Sequence, residues 1–124
     1  MVIDRRRILA LMLAGLAARE ARAAAPERRL FVACRLDGAQ TATVACFDRH
    51  GAEVFAAELP ARGHDATLRP DKAEMIVFAR RPGNWFAVLD LPAGTLRAVI
   101  HAPDGRHFYG HGVYAQDGRL LYAT

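Results

Sequence analysis

The chain has 124 residues, 52% of them hydrophobic and 24% charged, with a formal net charge of +4. Residues 1–23 hold five arginines and two acidic side chains, which leaves 12 basic and 11 acidic groups over residues 24–124 and a net charge of only +1 there. That balance excludes the broad basic footprint of a nucleic-acid-binding protein. The ordinary apolar fraction, with no low-complexity tract, excludes a disordered chain and supports one small domain with a core.

At the N-terminus, Arg5-Arg6-Arg7 sets positive charge directly before the apolar run 8–18. The run is about half of the roughly 20 residues that a membrane span requires. A charged region, a short apolar run and then Ala21-Arg22-Ala23 describe a removable export signal. Arg5 and Arg6 followed by Ile8-Leu9 resemble the twin-arginine signal, although Asp4 stands where that signal usually carries a small hydroxyl residue. Cutting after Ala25 would leave the restricted backbone of Pro26 at the new N-terminus, so the cut after Ala23 is favoured. The expectation is a helical twin-arginine-type signal peptide over 1–23, a periplasmic mature domain over 24–124, and no stable membrane span after cleavage. The general secretory route and an uncleaved anchor are the other readings of the same residues.

Beyond the signal, turn residues punctuate the chain at Asp37-Gly38, His50-Gly51, Pro70-Asp71-Lys72, Pro82-Gly83-Asn84, Ala93-Gly94, Asp104-Gly105 and Asp117-Gly118, with a further break at residues 60–63. Between them lie runs of strand length, many rich in β-branched or aromatic residues, at 30–34, 41–47, 53–59, 75–79, 85–91 and 95–100. No stretch sustains a helical period. Short, regularly spaced runs of this kind predict an all-β antiparallel meander.

The runs repeat. Leu30-Phe31-Val32-Ala33, Met75-Ile76-Val77-Phe78 and Leu120-Leu121-Tyr122-Ala123 recur every 45 residues, Phe47-Asp48 and Leu89-Asp90 lie 42 apart, and Gly63-His64 and Gly110-His111 lie 47 apart. Additional residues around 104–108 account for the longest interval. A repeat of about 45 residues with about four strands is the size of a β-propeller blade. The three apolar runs are expected to be central strands, covered on both faces. Residues 24–124 supply about two blades of a ring that needs roughly four to eight, so the expectation is an incomplete ring, the N-terminal part of a longer propeller. In it, residues 30–59 form three strands of a first blade. A small β-sandwich or open meander is the alternative, and a non-functional remnant a third reading.

Arg62-Gly63-His64, Phe78-Ala79-Arg80-Arg81-Pro82-Gly83 and above all Arg106-His107-Phe108-Tyr109-Gly110-His111-Gly112-Val113-Tyr114, followed by Asp117-Gly118-Arg119-Leu120-Leu121-Tyr122, resemble the exported bacterial family classed as domain of unknown function 1513. The resemblance covers essentially the whole chain. It implies a propeller-like fold and an accessory role beside periplasmic iron-uptake proteins of the imelysin and di-haem peroxidase-like kinds. It carries over no catalytic residue.

His64 and His111 each follow a glycine and each lead into an expected innermost strand, so a propeller places them equivalently near the mouth of its central channel. With His107 they are the candidate ligand- or metal-binding residues, for a metal or haem contact, since imidazole is a common metal ligand. The competing reading is structural: a Gly-His pair that pins each blade turn, with the imidazole bonded to an aspartate such as Asp71 or Asp117. Cys34 and Cys46 flank the Asp37 turn almost symmetrically and are candidates for a cross-strand disulfide in an oxidising compartment, with two buried thiols as the other outcome. Trp85 reads as packing between sheets. No nucleophile-elbow, phosphate-loop, dinucleotide or zinc signature is present. The residues therefore favour a binding protein over an enzyme. The alternative is a metal-dependent propeller enzyme, lactonase- or dehydrogenase-like, with His64 and His111 at the channel mouth.

Overall fold

The computed structural model describes residues 29–124; the expected signal peptide, with Arg5 and Arg6, lies outside the described residues. The described chain is all-β and antiparallel. Its strands are β1 (Phe31–Leu36), β2 (Ala42–Phe47), β3 (Glu53–Glu58), β4 (Gly63–Leu68), β5 (Glu74–Ala79), β6 (Trp85–Asp90), β7 (Thr95–His101), β8 (Gly112–Tyr114) and β9 (Leu121–Ala123). They form three sheets in chain order, β1-β2-β3, β4-β5-β6-β7 and β8-β9. The six expected runs all fall in strands, and the Gly63-His64 pair opens β4 instead of preceding it.

Aspartates set the hairpins. Asp37 Oδ1 accepts the N–H groups of Ala39 at 2.9 Å and Thr41 at 2.8 Å, and Asp48 Oδ1 those of His50 at 2.8 Å and Ala52 at 3.0 Å. Such a side chain satisfies turn donors that the ladder cannot reach. These backbone N–H bonds hold the Asp48 carboxyl below the usual carboxylate range. The two turns end in left-handed residues, Gln40 at φ 66° and Gly51 at φ 81°.

Register shows the repeat directly. Gly63 lies opposite Ala79 and Asp65 opposite Phe78, while Gly112 lies opposite Ala123. With β5 and β9 offset by 45 residues, Asp65 and Gly112 are counterparts, and so are the two Gly-His pairs. The longer interval between the pairs comes from the connection 102–111, which replaces the short connection 59–62 ahead of β4.

The sheets lie face against face: β1 and β2 pack on β4, β3 on β7, and β8 on β4. Alternation along β5 divides its contacts between the two neighbours. Met75, Val77 and Ala79 join Val44, Cys46, Trp85, Ala87 and Leu89 in the core shared with the first sheet, whereas Phe78 lies 5.7 Å from Phe86 and 6.4 Å from Phe108, ring centroid to centroid. Burying β5 on both faces explains its uninterrupted apolar run. The other two repeated runs do not behave as central strands. Phe31 is 61% exposed and Tyr122 59% exposed, because β1 and β9 are edges of their sheets among the described residues. Trp85 is buried in the core, as its packing role requires.

The cysteines also depart from expectation. The β1-β2 hairpin is centred one residue earlier than Gln40, so Cys34 pairs with Val44 and Cys46 with Val32. The two thiols are diagonal neighbours on one face, a relation that typically spans about 7–8 Å between α-carbons and exceeds the usual disulfide range. Both are free. Burial raises the pKa of each thiol above its ordinary value, which makes them apolar filling and poor nucleophiles.

Candidate functional site

The candidate site lies where β4 and β8 begin. Between Gly63 and Asp65 the β4-β5 register shifts, so His64 is the extra residue of a β-bulge. In a regular strand, successive side chains point to opposite faces. The bulge cancels that alternation locally: the His64 ring lies 5.0 Å from the His111 ring in an edge-on arrangement at 67°, while Asp65 Oδ2 lies 2.9 Å from Nδ1 of the same His111.

Glycines allow the approach. A β-carbon on Gly63 would sit 2.5 Å from Cys34 Sγ and 2.8 Å from Val77 Cγ1, so a side chain here would push β4 away from the first sheet. Gly110 has a φ of 93°, and a β-carbon there would sit 2.8 Å from His64 Cδ2. The two Gly-His pairs are thus counterparts in register but require glycine for different reasons, one for sheet contact and the other chiefly for a left-handed backbone.

The Asp65 carboxyl is held below the usual carboxylate range, chiefly by the hydrogen bond from His111, which outweighs the opposing effect of burial, with a lesser contribution from the backbone N–H of Ala66. An ionised carboxylate only accepts hydrogen bonds. His111 Nδ1 therefore carries the hydrogen that it donates to Asp65, and in a neutral ring Nε2 keeps its lone pair. A carboxylate that orients an imidazole in this way prepares the far nitrogen to accept a hydrogen bond or meet a ligand.

Two of the three expected histidines are brought together and the third is not. His107 lies instead against Tyr109, with ring centroids 4.9 Å apart. Asp71 and Asp117 are not the imidazole partners, because both serve their own turns, accepting the N–H of Ala73 at 3.0 Å and of Arg119 at 3.0 Å. His64 and His111 alone do not complete a metal centre: among the described residues no group of three or more His, Cys, Asp or Glu side chains is disposed to hold a metal ion.

Two clusters were not evident from sequence. At the opposite end of β5, Glu74 receives Arg69 at 3.3 Å, Tyr114 at 3.4 Å and Arg97 in close contact, joining strands β5, β7 and β8. Burial, then the neighbouring Glu74, raises the Tyr114 pKa above its ordinary value. At the histidine end, Phe108 packs 5.1 Å from Phe86, ring to ring, and pins the connection 102–111 to the second sheet. For the histidine contact the sequence signal is Asp65, directly after the first Gly-His pair.

A family model described as a protein of unknown function (DUF1513) matches residues 57–124, more than half of the chain and the whole of the second and third sheets. No curated protein matches the chain.

Proposed function

The chain belongs to that family of uncharacterised proteins, and on this premise we propose that it is an exported periplasmic binding protein of β-propeller architecture, accessory to iron or haem uptake and not itself an enzyme. In this reading the four-stranded sheet β4-β7 is one blade, the neighbouring sheets belong to adjacent blades, and β4 and β8 are inner strands that face the channel. Residues 1–23 act as the twin-arginine-type signal, with Arg5 and Arg6 as its recognised pair, and residues 24–124 form the periplasmic part.

The observation that carries the reading is the contact of His64, Asp65 and His111 across two adjacent sheets at the starts of their equivalent strands. Residues that meet in this way at a channel mouth suit recognition. A catalytic use lacks a partner: the Cys34 thiol is raised by burial, and the imidazole pair has no third ligand among the described residues. The iron link is supported by the resemblance alone, through the company such proteins keep.

The test has two arms. Replacing Arg5 and Arg6 together by lysine is expected to retain the protein in the cytoplasm, read by cell fractionation; unchanged export would overturn the twin-arginine assignment. Periplasmic protein is expected to purify without stoichiometric metal. Metal that is present at one equivalent and lost in His64→Ala with His111→Ala would overturn the binding reading in favour of a metal-dependent enzyme.

A further inference from the structure

The second motif cluster, away from the His64-His111 contact, forms a site of its own. The β5-β6 turn and the connection 102–111 border an open surface cleft of about 530 Å³ lined by Arg81, Pro82, Gly83, Asn84, Arg106 and His107. Two stretches 26 residues apart in sequence, Arg80-Arg81-Pro82-Gly83 and Arg106-His107-Phe108-Tyr109, supply most of its wall. Its volume is that of a small-molecule site.

From the cleft's charge and geometry we infer that it binds a small oxyanionic ligand, one that presents phosphate or clustered carboxylate oxygens. Three observations converge. No carboxylate lies within ion-pair distance of Arg81 or Arg106 among the described residues, and both side chains line the same cleft. Arg81 has a partner of its own: its guanidinium carbon lies over the Tyr109 ring, 4.5 Å from its centre, and the Tyr109 ring is tilted at 52° against that of His107. A guanidinium over an aromatic face still has N–H groups to offer, and its planar fork pairs bidentately with carboxylate or phosphate.

The wall is also preset. Phe108 anchors the connection between Phe78 and Phe86, and the turn closes through Gly83 N–H to Arg80 O at 2.9 Å. A β-carbon on Gly83 would sit 2.5 Å from that of Ala79, so the turn's tight return depends on glycine. Asn84 Oδ1 faces His101 Nδ1 at 3.4 Å, which leaves the Asn84 amide nitrogen as a further donor on the cleft. The Arg81 contact and the anchored connection that carries Arg106 reduce the ordering cost of binding. This site is independent of the histidine contact and of the iron-linked reading.

The purified protein, at low ionic strength in chloride buffer, is titrated separately with inorganic phosphate and with citrate, and followed by calorimetry and by backbone amide NMR. Saturable binding of at least one probe is expected, with shifts concentrated at residues 80–84 and 101–109. Preference for phosphate would assign a phosphoryl ligand, and preference for citrate a polycarboxylate. Arg81→Ala with Arg106→Ala is expected to weaken binding about tenfold or more, in keeping with loss of charge-assisted hydrogen bonds. Arg81→Lys, which keeps the charge but loses the fork, should give an intermediate loss, and the exposed Arg119→Ala should leave affinity unchanged. Absence of saturation with both probes, or an equal loss in the Arg119 variant, overturns the inference.

Discussion

The two ends of the β4-β7 sheet treat their charges in opposite ways. At the end that carries the β4-β5 and β6-β7 turns, Arg69 and Arg97 converge on Glu74, with Asp71 3.3 Å from Arg69 and Asp90 3.9 Å from Arg97. At the other end, Arg81 and Arg106 line an open cleft without an acidic partner, beside the His64-Asp65-His111 contact. Neutralised charge at a sheet end joins strands. Charge left unneutralised on a pinned framework is available for something else, and the difference separates a structural end from a recognition end.

Substitutions can break or sharpen that contrast. The largest effect is expected from Gly63→Ala, which would force a β-carbon between Cys34 and Val77; overpacking of this kind costs about 1–3 kcal/mol, measured by urea denaturation. An unchanged midpoint would show that the first two sheets are not held as closely as described. Glu74→Ala comes next, at about 1–2 kcal/mol, because it removes the half-buried carboxylate on which Arg69, Arg97 and Tyr114 converge, leaving Arg69 with Asp71 and Arg97 with Asp90. High salt should narrow the gap between this variant and the parent.

Asp65→Asn is expected to cost less than about 1 kcal/mol, since both partners of the contact are largely solvated. Its signature is in pH. The folded Asp65 carboxyl lies below its ordinary value, so its contribution is complete above an unfolded pKa of about 4 and disappears as pH falls through the lower folded value. The variant should lack that part of the acid limb in a stability-pH profile. Smallest of all, Arg81→Ala and Arg106→Ala should each stay within about 0.5 kcal/mol of the parent, since neither breaks an ion pair and the Arg81 contact with Tyr109 is solvent-exposed. A clear stability loss in either would place the cleft among the structural features and erase the contrast between the ends.

Much of the fold was legible because its signals are local. Asp37, Asp48, Gly51 and Gly94 mark turns through their own backbone needs, and an apolar run such as Met75-Ile76-Val77-Phe78 declares a strand wherever it is placed. The site was legible only in part. Gly63-His64 and Gly110-His111 could be aligned as counterparts, but equivalence in the repeat does not say that the two rings touch, which takes the contact of adjacent sheets. His107 was grouped with them on proximity in sequence, yet Phe108 anchors the connection so that His107 turns toward Tyr109. Of the two outcomes open to Cys34 and Cys46 the structure has the free thiols, because a hairpin centre one residue earlier moves directly opposed residues to a diagonal.

By itself the sequence determined the all-β class, the positions of the hairpins and the repeat that makes β4 and β8 counterparts, since period and turn chemistry act over a few residues. Only the tertiary structure decided that Asp65, and not Asp71 or Asp117, orients His111, and that Arg81 and Arg106 share one cleft. Those outcomes depend on a single-residue bulge in β4 and on how neighbouring sheets stack, and neither leaves a periodic trace in the chain.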